Sequence, residues 1–75
     1  MLKSMLYFTK YANNKFDILN KHEVYFRREE VEDAVSAPDN LRKSGKNYFA
    51  HKDRVGVVYE KDGEEIKIIT FYPIK

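Results

Sequence analysis

Seventy-five residues allow one domain and exclude a second, because domains mostly run to about 100–150 residues. The chain is 43% hydrophobic and 35% charged with three Gly and two Pro, which excludes a disordered or low-complexity segment, and zero Cys excludes a disulfide framework, a zinc ribbon and a thiol nucleophile. The net charge of +2 conceals blocks: residues 1–28 carry +4, residues 29–40 carry five acids and no base, and residues 41–54 return to +4.

The first predicted element is a strand, in which Leu2, Ser4, Leu6 and Phe8 alternate with Lys3, Met5 and Tyr7. Thr9 then offers an N-cap hydroxyl to a helix from Lys10 to about Asn20, where Ala12, Phe16 and Leu19 recur at i, i+4 and i+7. Lys21 and His22 sit at its C-terminus, where positive charge suits the helix dipole. After the link His22–Phe26, a second, short helix has Glu29 and Glu30 in its first turn and Val31, Ala34 and Val35 on one face, and Pro38 stops it. Its outer face, with Glu29, Glu30, Glu32 and Asp33, reads as solvated surface rather than a metal site.

Everything after Asp39-Asn40 reads as strand and turn. Leu41–Lys43 and Asn47–His51, joined through Ser44-Gly45-Lys46, are one bulged strand or a small hairpin. Lys52-Asp53-Arg54 is the next turn, followed by the alternating strand Val55–Glu60. Asp62-Gly63 reads as a type I′ hairpin turn, and Ile66–Tyr72 returns antiparallel with Ile66, Ile68, Thr70 and Tyr72 on one face and Lys67, Ile69 and Phe71 on the other. The fold class is α+β, ordered β-α-α-β-β-β, with both helices on one face of an antiparallel sheet.

An ordered series of residues carries a family resemblance. Lys10-Tyr11-Ala12, Lys15, Val24, Glu29 through Pro38, Gly45-Lys46-Asn47-Tyr48, Val55 to Tyr59 and Ile69-Thr70-Phe71-Tyr72-Pro73 together resemble a small family grouped with the RelE/ParE-like and BrnT-like toxins of toxin–antitoxin pairs. The resemblance spans about residues 8–74 and implies a toxin-like fold, a small acidic antitoxin as partner and metal-independent ribonuclease activity, while the absence of Cys fits a reducing cytoplasm. Where that family opens its first helix with His-Ala and an Arg one turn later, this chain has Tyr11-Ala12 and Lys15. Tyr can stack on a base and Lys keeps the charge, but neither replaces His as a proton acceptor near neutral pH.

Cutting RNA through its own 2′-hydroxyl needs a proton acceptor, a proton donor for the 5′-oxygen and cations around the phosphate. His51, Arg54, Tyr72 and Lys46 are the candidates for that chemistry, Arg54 being the best phosphate fork; Tyr11, Lys15, His22, Arg42 and Tyr48 are candidate RNA contacts. Whether His51 shares the helix face depends on which of Phe49 and Tyr48 packs inward. The two His have no partners at metal-ligand spacing, and there is no phosphate loop or nucleophile elbow, so neither metal nor cofactor is expected.

The competing expectation is a catalytically inactive RNA- or protein-binding module of the same fold, which Tyr11 in place of His favours. RNA, an acidic antitoxin or a second copy of the chain are the expected partners, the latter two at a free sheet edge formed by the first or the Tyr48 strand. No apolar run reaches the length of a membrane span.

Overall fold

The computed structural model describes residues 5–74. Its element order is β1 (Met5–Phe8), α1 (Lys10–Lys21), α2 (Arg28–Ser36), β2 (Asn40–Ser44), β3 (Asn47–Lys52), β4 (Val55–Asp62) and β5 (Glu65–Pro73). Leu2 and Ser4, predicted to begin the first strand, lie outside the described residues. The expected α+β architecture is present, and the open question about residues 41–51 resolves as a hairpin, because β2 and β3 pair antiparallel across Gly45-Lys46.

Local chemistry sets the helix boundaries. The Thr9 hydroxyl accepts from the Ala12 backbone N–H at 3.2 Å and donates to the Ile68 carbonyl at 2.8 Å, so one side chain caps α1 and ties it to β5. The Glu30 carboxylate reaches back to the Arg27 backbone N–H at 3.0 Å and closes the first turn of α2. That helix ends at Ser36, ahead of Pro38.

The five strands form one sheet in the order β1-β5-β4-β3-β2. All neighbours are antiparallel except β1, which pairs parallel with β5. The helices explain this arrangement: the chain leaves β1 at one edge, crosses the sheet through α1 and α2 to the opposite edge, and returns through three hairpins until β5 meets β1. The strand carrying Tyr48 is therefore internal, and the sheet edges are β1 and β2, which corrects half of the expected edge assignment.

Two further expectations change. Asp62 is a strand residue paired with Glu65, and only Gly63 of the Gly63-Glu64 loop takes a positive φ (63°), so the turn is not type I′. More consequential is a bulge in β5. Val58 pairs with Thr70 but its neighbour Tyr59 pairs with Ile68, leaving Ile69 as an extra residue that reverses the alternation beyond it. Ile66, Ile68 and Phe71 thus face the helices, while Thr70 and Tyr72 face away, contrary to the simple period of two. The reason is Phe71: it is fully buried, with ring centroids of Phe16, Phe26 and Phe8 at 4.5, 6.0 and 6.5 Å.

The core lies between this face and the helices, where Val31, Ala34 and Val35 of α2 and Ala12 and Leu19 of α1 meet Ala50, Val57 and Ile68. No described helix is long and apolar enough to cross a membrane.

Candidate nucleic-acid interface

The face of the sheet away from the helices is built from register. Residues directly opposite one another on neighbouring strands share a face, so Asn40, His51, Gly56 and Tyr72 form one row across β2, β3, β4 and β5. Arg42, Phe49, Val58 and Thr70 form the next row. Because Tyr48 packs against the core, His51 belongs to this open face, which answers the alternative left by the sequence.

The first row contains a polar contact spanning two strand spacings. His51 Nε2 and the Tyr72 hydroxyl are 3.0 Å apart, with the ring planes 80° to one another and both side chains partly buried. Between them on β4 lies Gly56, over whose backbone the Tyr72 ring extends. Beside the pair is a shallow cavity of about 160 Å³ lined by Asn40, Arg42, Phe49, His51 and Tyr72. It brings together a group that accepts and donates protons, a phenol, a guanidinium and an aromatic platform. No ion pair engages Arg42 among the described residues. The half-buried Phe49, opposite Arg42 in register, offers an apolar surface to the same cavity.

The other predicted residues are placed elsewhere. Arg54 extends toward the helices, where its Nε meets Glu30 Oε2 at 3.1 Å, another nitrogen donates to the Tyr25 carbonyl at 2.6 Å, and its guanidinium lies 4.6 Å from the centre of the Phe26 ring. It clamps α2 and the preceding link to the β3–β4 turn. This bond to Arg54, followed by the Arg27 N–H, holds the Glu30 carboxyl below its ordinary range. The acidic block on α2 is therefore not all solvated surface.

Lys46 sits on the β2–β3 turn and lines a different hollow with Lys43, Tyr48 and Lys61. Tyr48 stacks on Tyr59 at 5.1 Å with planes 9° apart, on the helix side of the sheet. Burial, followed by the proximity of Tyr48, raises the Tyr59 phenol above its ordinary value. Tyr11 and Lys15 lie on α1 and His22 at its C-cap, all in the helical layer across the sheet from His51. Of the predicted residues, the structure thus brings together His51, Tyr72 and Arg42.

Sequence reading missed Asn40, Phe49 and Gly56. The signal for the first two was the short Gly45-Lys46 hairpin, which puts Asn40 opposite His51 and Arg42 opposite Phe49. Gly56 could not be found without knowing that the β5 bulge turns Tyr72 outward. Among the described residues, no three His, Asp or Glu side chains gather as metal ligands. No family model, curated protein or solved structure matches the chain.

Proposed function

We propose that this chain is the toxin of a toxin–antitoxin pair and cuts RNA through the open face of its sheet, using the substrate's own 2′-hydroxyl. The observation that carries the reading is the 3.0 Å contact between His51 Nε2 and the Tyr72 hydroxyl in the cavity lined by Arg42. The His51 imidazole takes the 2′-proton, and the 2′-oxygen displaces the 5′-oxygen at phosphorus, leaving a 2′,3′-cyclic phosphate. The Tyr72 hydroxyl protonates the departing 5′-oxygen, and the imidazolium returns a proton to the phenolate along their shared hydrogen bond. Arg42 offers two parallel N–H groups to the phosphate as its charge builds. Proton transfer of this kind contributes about 10²–10⁴-fold to rate.

The acidic antitoxin segment adds a strand at β2. The hairpin 40–52 carries Arg42, Lys43, Lys46 and Lys52 with no acid, so it suits an acidic strand and disfavours a second basic β2.

A second reading, a catalytically inactive RNA- or protein-binding module, has its own support. Arg54 is held by Glu30 and Lys46 lies in another hollow, which leaves Arg42 alone among those predicted cations beside His51 and Tyr72.

The test is incubation of the purified chain with several single-stranded RNAs in chelator, with His51→Ala as control. The first reading expects fragments ending in 2′,3′-cyclic phosphate that are absent with the variant. RNA that binds but stays intact supports the module; RNA that neither binds nor breaks removes both RNA readings.

A further inference from the structure

We propose that Gly56 is a positioning residue whose missing side chain creates the contact between His51 and Tyr72; as a contributor to catalysis it rests on the function proposed above. His51 is on β3 and Tyr72 on β5, with β4 between them. Neighbouring strands lie about 4.8 Å apart, so the two backbones are separated by about 10 Å. The tyrosine can span that gap only by lying across the intervening strand. At the crossing point the residue in register with both partners is Gly56, paired with His51 on one side and Tyr72 on the other.

A side chain at position 56 would occupy the place of the ring. A Cβ built there would lie 2.5 Å from Tyr72 Cζ and 2.6 and 2.7 Å from Cε1 and Cε2. These distances are far inside van der Waals contact, so the phenol would have to lift or swing away. Nothing else at this position calls for glycine: its backbone is not in the left-handed region that Gly45 and Gly63 adopt. Glycine within a strand also weakens the strand and forgoes side-chain packing. The ring of Tyr72 is the feature that accounts for it.

A purely structural role is the alternative. An aromatic ring laid over a strand glycine shields its backbone, whatever the hydroxyl touches. The two roles differ in what happens to the hydroxyl and in its coupling to His51.

The experiment is a double-mutant cycle on the full chain with Gly56→Ala, Tyr72→Phe and both together. Its readouts are the ¹⁵N signal of His51 Nε2, thermal unfolding and RNA cleavage. If Gly56 positions the hydroxyl, Gly56→Ala moves the Nε2 signal as Tyr72→Phe does, and the double variant moves it no further. Cleavage then falls about 100-fold in Gly56→Ala, the scale of a misplacement near 1 Å. An unmoved Nε2 signal in folded Gly56→Ala, or shifts that add in the double variant, overturns the proposal.

Should Gly56→Ala fail to fold, Gly56→Ala/Tyr72→Ser removes the obstructing ring. Recovery of folding is the result expected from the collision, and failure to recover overturns it. If the unaltered chain leaves RNA intact, the proposed ribonuclease falls while the Nε2 cycle still decides the role of Gly56.

Discussion

On the helix face, Phe71 is enclosed by Phe8, Phe16 and Phe26, and the nearby guanidiniums are occupied: Arg54 by Glu30 and the Tyr25 carbonyl, Arg28 by Asn13 while lying 4.3 Å over the Phe8 ring. On the open face one residue further along β5, Tyr72 spends its ring on a bare backbone and its hydroxyl on His51, beside an Arg42 with no ion pair among the described residues. Adjacent residues of similar shape thus serve different ends. Aromatic rings and cations on the covered face hold helices to the sheet, whereas those on the uncovered face are arranged around a space. The difference teaches that charge alone is a poor guide to the site. Arg54 has the chemistry of a phosphate ligand, but the helical layer supplies its carboxylate first.

The sharpest test of that division is to remove one residue from each face. His51→Ala should lower RNA cleavage by about 10²–10⁴-fold while leaving the unfolding midpoint nearly unchanged, measured by fragment analysis and thermal melting. A comparable loss of stability would make His51 part of the scaffold. Phe71→Ala should do the reverse. Its loss costs about 3–5 kcal/mol, a large share of the stability of a domain this size, and the urea unfolding midpoint should fall steeply.

Smaller effects sharpen the comparison of cations. Arg42→Ala should weaken RNA binding across sequences by about tenfold and reduce the slope of log affinity against log salt by about one, read from titrations at several salt concentrations. Arg54→Ala should leave that slope unchanged and lower stability instead.

The smallest expected effect concerns Glu30. Its carboxyl titrates below the ordinary value of 4.5 in the folded chain, chiefly through the bond to Arg54, so the unfolded chain binds the proton more readily. The stabilisation is therefore present above that ordinary value and is lost as pH falls through the lower folded value. Because the pair is partly exposed, Glu30→Gln should cost only about 1 kcal/mol near neutral pH. The gap between the urea midpoints of the variant and the unaltered chain should close as the solution is acidified.

Several parts of the fold were legible in the chain. Thr9 before an apolar period of i, i+4 and i+7 marked the start of α1, and Pro38 marked the end of α2, because capping and proline geometry act within a few residues. Gly45 and Gly63 marked turns for the same local reason. His51, Tyr72 and Arg42 could be picked out by side-chain chemistry alone, as groups able to transfer a proton or bind an anion.

Their assembly was not legible. The alternation of β5 predicted Tyr72 beside Ile66 and Ile68, and only the bulge at Ile69, which lets Phe71 enter the aromatic core, turns Tyr72 to the face of His51. Likewise Arg54 could be recognised as a cation, but its commitment to Glu30 depends on α2 lying beside the β3–β4 turn. The amino-acid sequence by itself determined the element types, most of their boundaries and the inventory of reactive groups, all properties of short stretches of chain. Tertiary structure decided which face each group joins and which partner it meets, because packing Phe71 and pairing strands distant in sequence outweigh the local period of two.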